Sequence, residues 1–211
     1  MTSLASESAL LVIDTASFNA GIGIKRFDDS IFLRTQVGGM RAESLSCLLK
    51  ELIEESGIRM ADIESIAVNC GPGSHTGIRT GLAFAKGLSK GLKRARMMPV
   101  SAIETLRWGL RMGLEGAVLV QTACDSFVME MAPGPGVMIE DVIQRDGLPS
   151  ILRQTIEEFN RPLVIEKGVF PKIEDHPNVT TFENLVSVLL TVGSTGMMPI
   201  GDEVKYLGSR F

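Results

Sequence analysis

Histidine, cysteine and the large aromatics are scarce in this chain, and each shortage closes off a class of chemistry. His75 and His176 are the only histidines, and Cys47, Cys70 and Cys124 the only cysteines, in 211 residues. No two of these five have the spacing of zinc ligands, so no metal site is expected. There is no Cys-x-x-Cys pair, and three scattered thiols fit a reduced cytoplasm better than a disulfide framework. With two histidines to serve as bases, a Cys/His dyad is disfavoured. One Trp, one Tyr and nine Phe argue against a stacking platform for nucleic-acid bases.

Long apolar runs are missing as well. Met1–Ser8 has no basic residue, and the run Ala9–Ile13 stops at Asp14. That pattern is neither a signal peptide nor a membrane span, and the chain reads as soluble and cytoplasmic. Hydrophobic residues make up 45% and charged residues 22%, an ordinary globular balance rather than a disordered one. The net charge of −4 gives no electrostatic reason for the chain to bind nucleic acid alone.

What is present is a strongly patterned first half. Ala9–Ile13 is a strand buried on both faces, Gly21–Phe27 a second strand, and Ile31–Thr35 a third after the turn Asp28-Asp29-Ser30. The period then changes. Leu45, Leu48, Leu49, Leu52 and Ile53 follow the i, i+3, i+4, i+7, i+8 rule, which predicts a helix over 42–56 closed by Gly57. Ile63–Val68 is a fourth strand, a helix is expected from about Ser74 to Lys90, and Met97–Val100 is a fifth strand before a helix capped by Ser101. The order βββαβαβα implies an α/β domain with a mixed sheet over residues 1–100.

The second half, 101–211, reads as a smaller α/β domain whose last helix packs back on the first. A hairpin is expected from Ala117–Thr122 and Phe127–Met131, then a loop at Pro133–Gly136. A helix over Leu148–Phe159, a strand at Leu163–Ile165 and a helix over Phe182–Leu190 follow, with a tail closing on Tyr206-Leu207. No internal repeat is visible.

The densest signal is Gly71-Pro72-Gly73-Ser74-His75-Thr76-Gly77-Ile78-Arg79 between the fourth strand and its helix. Gly71 and Gly73 permit a sharp turn, and Ser74 is a natural N-cap. Amides left pointing outward at such a turn can cradle a phosphate, so Asp14, Gly71, Gly73, Ser74, Thr76 and Arg79 form a candidate nucleotide contact. A tight strand-to-helix connection that binds nothing explains the same residues. The block has neither the Gly-Lys-Ser/Thr of a P-loop nor the third glycine of a dinucleotide fold.

The helix after it carries two rows of small residues, Gly77, Gly81, Ala85 and Ala83, Gly87, Gly91. Glycine inside a helix costs about 1 kcal/mol against alanine, so close packing must compensate. Either the protein's own sheet or a subunit can supply it. A predicted interface therefore comprises Leu45, Leu48, Leu49, Leu52, Gly77, Gly81 and Ala85. On that placement Gly81→Leu should abolish pairing and leave a folded monomer.

Leu11-Val12-Ile13-Asp14-Thr15, Arg41-Ala42-Glu43, the glycine block with Gly81-Leu82-Ala83, and Lys86-Gly87-Leu88 together resemble the TsaB (YeaZ) family. The family's block reads Gly-Pro-Gly-Ser-Phe-Thr-Gly-Leu-Arg, which this chain matches except at His75 and Ile78. The resemblance covers 9 to about 106, with Lys205-Tyr206-Leu207 similar to the closing tyrosine segment. Arg41 stands where the family often has histidine, and Gln121–Asp125 lacks a basic family segment.

The resemblance implies the two-domain actin-like (ASKHA, ribonuclease-H-like) fold with mixed sheets. It also implies a non-catalytic role in synthesis of N6-threonylcarbamoyladenosine at A37 of tRNA. The chain would pair with TsaD through its first-domain helices, assemble with TsaE, form homodimers when alone, and meet tRNA only through the complex. No catalytic residue, metal or resident cofactor is implied, weak ATP or ADP binding at a partner junction aside. Two alternatives stay open. One is an actin-like phosphotransferase, for which Asp14 is correctly placed but no glycine follows before Gly21, and Gly193-Ser194-Thr195-Gly196 is the only late candidate for a phosphate or adenosine segment. The other is a peptidase, suggested by the older glycoprotease label of the family's relatives.

Overall fold

The computed structural model describes residues 8–192, apart from 111–115, 124–125, 135–136, 145–149, 172 and most of 151–161. Strands β1 (Ala9–Asp14), β2 (Asn19–Lys25) and β3 (Ile31–Val37) form an antiparallel meander. β4 (Ile63–Asn69) then joins β1, and β5 (Arg96–Val100) joins β4, both in parallel. The sheet order is β3-β2-β1-β4-β5.

Its two faces are covered by different helices, and β1 shows why. Leu11 and Ile13 enter one apolar cluster with Leu45, Leu49 and Leu52 of α1 (Ala42–Ser56) and Ala85 of α2 (His75–Gly91). Val12, between them, enters another with Ile103 and Leu106 of α3 (Ala102–Gly109) and Val186, Leu189 and Leu190 of α4 (Leu185–Val192). Successive strand side chains point to opposite faces, so a continuous apolar run signals burial on both. Each fully buried leucine here contributes about 2 kcal/mol.

α1 ends where the sequence predicts. Gly57 takes φ 68°, the left-handed region that favours glycine, and its amide donates to Ile53 O at 3.1 Å. Ser74 caps α2 and Ser101 caps α3. α4 crosses back onto the first sheet: a Cβ at Gly23 would lie 2.7 Å from Leu190 Cδ1, and one at Gly21 would lie 3.0 Å from Val186 Cγ2. Those two glycines let the helix seat directly on β2.

The second sheet repeats the first. β6 (Ala117–Ala123), β7 (Ser126–Gly134) and β8 (Val137–Gln144) form the meander, and β9 (Leu163–Glu166) and β10 (Val179–Phe182) add in parallel. Its order, β10-β9-β6-β7-β8, is that of the first sheet read from the other edge. The duplication is a finding of topology, since no internal repeat is visible in the sequence. This is the actin-like, ribonuclease-H-like α/β arrangement with mixed sheets.

β8 and β10 were not expected. The sequence of β8, Val-Met-Ile-Glu-Asp-Val-Ile-Gln, puts acids mid-strand, and β10 is only four residues long. Pro133 and Gly134 end β7 rather than forming a loop of their own. The predicted helix over 148–159 falls mostly outside the described residues, as do Cys124, Gly193–Gly196 and Tyr206.

Candidate functional site

The glycine block, the β1–β2 turn and the end of β9 meet at one place. Asp14 ends β1 with no exposed surface. Its Oδ1 accepts from Ala16 N at 2.9 Å, Ser17 N at 3.2 Å and Asn69 Nδ2 at 2.8 Å. Oδ2 has no hydrogen-bond partner among the described residues. Desolvation raises the Asp14 pKa, against hydrogen bonds from Ser17, Asn69 and Ala16 that favour the anion.

Asn69 ends β4 and works in two directions, since its Oδ1 also accepts from Gly71 N at 2.8 Å. Gly71 has φ 112°, a region closed to most residues, and the Gly71–Pro72 peptide is cis. Gly71 O in turn accepts from Ala102 N at 2.8 Å, joining the block to α3.

The block grips the β1–β2 turn closely. Ser74 N donates to Ala16 O at 2.9 Å, and Thr15 Oγ1 donates to Gly77 O at 2.6 Å. Ser74 Oγ accepts from Gly77 N at 3.3 Å, the N-cap bond. A Cβ on Gly73 would sit 2.8 Å from Ala16 Cβ, one on Gly77 would collide with Thr15 O, and one on Gly81 would lie 2.6 Å from Thr15 Oγ1. The faces of Gly73 and Gly77 are therefore filled by Thr15 and Ala16 of this chain's own turn, and the block works as a clasp on that turn.

A second carboxylate braces the same turn from the other sheet. Glu166, at the end of β9 and 3% exposed, accepts from Phe18 N at 3.1 Å through Oε2 and from Asn19 N at 2.7 Å through Oε1. Asn19 Nδ2 donates onward to Lys167 O at 2.9 Å. Burial pushes the Glu166 pKa up to about 7, with the Asp14 charge adding to it and the Asn19 and Phe18 amides opposing. Sequence reasoning missed Glu166 and Asn69. The signal for Glu166 was an apolar run ending in an acid, Leu163-Val164-Ile165-Glu166, the same form as the strand that ends in Asp14.

Of the candidate contact residues, the structure brings Asp14, Gly71, Gly73 and Ser74 together, while Thr76 and Arg79 stand exposed on α2. The predicted interface needs correction. Leu45, Leu49 and Leu52 are in the core, Leu48 is half-buried against it, and Gly77, Gly81 and Ala85 face the β1–β2 turn and sheet. The stripe reads as apolar because it covers this chain's own strands. Gly81→Leu would strike Thr15 and damage the fold, so it cannot report on pairing alone. The second row, Ala83, Gly87 and Gly91, is exposed, and nothing lies within 4 Å of a Cβ at Gly87 or Gly91.

Comparison with known proteins falls on this same region. The family described as TsaD, tRNA N6-adenosine threonylcarbamoyltransferase, matches residues 40–121, the stretch holding α1, the glycine block and α2. The tRNA threonylcarbamoyladenosine biosynthesis protein TsaB of Escherichia coli K12 is 33% identical over 84 residues, covering 40% of this chain and 36% of that protein. The chain is TsaB/YeaZ-like. An uncharacterised protein of Mycobacterium tuberculosis H37Rv is 36% identical over 81 residues, covering 37% of this chain and 38% of that one. The match thus spans well under half the length of these curated relatives. A crystal structure of an uncharacterised protein with similarity to peptidase YeaZ from Pseudomonas aeruginosa has a TM-score of 0.60 at 16% identity, covering 94% of this chain and all of that one. At that identity the TsaB-like chain shares its fold with that protein, and nothing finer follows.

Among the described residues no helix is long and apolar enough to cross a membrane, and no group of three or more His, Cys, Asp or Glu could hold a metal ion.

Proposed function

We propose that this chain is a non-catalytic subunit in the synthesis of N6-threonylcarbamoyladenosine at A37 of tRNA, acting in the cytoplasm. It pairs with a TsaD-type transferase through the outward faces of α1 and α2, and TsaE joins the pair. One observation carries the reading. The glycine block is bound to Thr15 and Ala16 of its own chain, which leaves α2 anchored and its outer row, Ala83 and Gly87, smooth and exposed. A helix face without side chains admits another helix at short range. Alone, the chain closes the same face against a second copy of itself.

The test is reconstitution. The cognate TsaD, TsaE and adenylate-forming enzyme are combined with tRNA, with and without this chain, and modified adenosine is measured. Dependence on the chain, with no ATP turnover by the chain alone, supports the subunit role. Modification that proceeds equally without it, together with ATP turnover by the chain, replaces that role with the phosphotransferase reading.

A further inference from the structure

An acidic net charge conceals a basic end on this molecule. Between Glu64 and Glu104 there is no Asp or Glu, while Arg79, Lys86, Lys90, Lys93, Arg94 and Arg96 all lie there. Five of these six fall within 86–96, at the C-terminal end of α2, in the turn after it and on the first residue of β5. All five are exposed.

The cluster is held on a fixed frame. Ser89 Oγ donates to Ala95 O at 2.7 Å, tying the turn to the last part of the helix. Arg96 opens an edge strand in register with Ser65 of β4. Lys86 and Lys90 are one helical turn apart, about 6 Å along the axis, and share a side of α2. Arg94 Nη2 reaches Glu64 Oε1 at 3.7 Å, an exposed contact. Among the described residues no carboxylate lies within 4.0 Å of Lys86, Lys90, Lys93 or Arg96.

Ordinary structural needs do not explain this grouping. A lysine in the last turn complements the helix dipole, which accounts for Lys90 alone. Five like charges gathered on one short stretch repel one another, and a polyanion relieves that repulsion. We propose that Lys86, Lys90, Lys93, Arg94 and Arg96 form a contact face for the phosphate backbone of RNA. Choosing RNA over an acidic protein surface rests on the tRNA-modification role proposed above. Aromatic side chains are absent from the cluster, so the contact positions the nucleic acid without reading its bases. It lies at the far end of α2 from the glycine block and borders Gly87 of the outer small-residue row, so the two contacts would adjoin on this helix.

The experiment measures binding of unfractionated tRNA to the full chain by fluorescence anisotropy from 25 to 200 mM salt, beside the variant K86Q/K90Q/K93Q. Each neutralised phosphate contributes about −0.7 to −0.9 to the slope of log K against log salt. The expected result is a slope shallower by about 2 in the triple variant and at least a tenfold loss of affinity at 100 mM salt. Lys167→Gln, just after β9 and outside both the cluster and the helices proposed for pairing, should leave the slope unchanged. Unaltered thermal unfolding of the triple variant keeps the comparison valid, and single variants replace it should it unfold. Absence of tRNA binding at 25 mM salt overturns the proposal, as does equal binding by the triple variant. Loss of self-association or of TsaD pairing in that variant, with tRNA binding intact, assigns the cluster to an acidic protein surface instead. Should reconstitution show the chain dispensable while its tRNA binding still depends on these lysines, the RNA face stands and the subunit role falls.

Discussion

Thr15 Oγ1 donates to Gly77 O at 2.6 Å, and the same threonine's carbonyl occupies the place where a Gly77 side chain would begin. One residue of the β1–β2 turn thus both bonds α2 and requires it to be bare. Gly77→Ala should therefore destabilise the protein by about 3 kcal/mol, the upper range for overpacking a tight contact. Gly87→Ala, where nothing lies within 4 Å, should stabilise it by about 0.5–1 kcal/mol through helix propensity. Urea unfolding of both variants checks the pair, and similar effects at the two positions would contradict the clasp.

The exposed row makes a prediction about association. Ala83→Leu with Gly87→Leu adds bulk on the outside of α2 and should leave the unfolding midpoint unchanged or higher. Pairing with TsaD, followed by size-exclusion chromatography and calorimetry, should weaken at least tenfold. Full pairing by a stably folded double variant would move the interface off this face.

Asp14 is a carboxylate with one oxygen fully engaged and the other without a partner among the described residues. Asp14→Asn keeps the accepting oxygen and removes a buried charge, so stability should hold or rise. Asp14→Ala strips Asn69 and two backbone amides of their acceptor and should cost about 2–3 kcal/mol. Denaturant midpoints for the two variants separate these outcomes. A large loss from Asn would mean that the charge itself is needed.

Glu166 sets a pH dependence of definite sign. Its folded pKa of about 7 stands above the ordinary 4.5, so the folded state holds the proton more tightly between those values. Stability should therefore fall as pH rises from about 4.5 to about 7, by on the order of 3 kcal/mol, and level off above. Removing the Asp14 charge should lower the Glu166 pKa and narrow that window. Unfolding midpoints from pH 5 to 8 measure the trend, and Glu166→Gln should flatten it. Stability that climbs through this window would falsify the assignment.

Much of the first half was legible because its signals are local. Strands buried on both faces read as unbroken apolar runs, and α1 shows its stripe of four leucines and one isoleucine at helical spacing. Ser74 and Gly57 mark helix ends through bonds made within a turn of themselves. Which partner an apolar or small face meets is a different matter. The Leu45–Leu52 stripe looks the same whether it covers β2 and β3 or a second subunit, and nothing local to the helix tells the two apart. Glu166 was invisible for a related reason, since its donors, Phe18 and Asn19, are separated from it by well over a hundred residues.

The amino-acid sequence by itself determined the elements of the first half, the clasp-forming block and the likeness to TsaB, all carried by short-range pattern. Tertiary structure decided that Gly73, Gly77 and Gly81 receive the chain's own β1–β2 turn. It also decided that α4 returns to the first sheet, that the second sheet repeats the first, and that the second small-residue row of α2 is the exposed one. Those outcomes depend on which surfaces the chain buries against each other. Burial is a property of the whole packed molecule, and no window of sequence contains it.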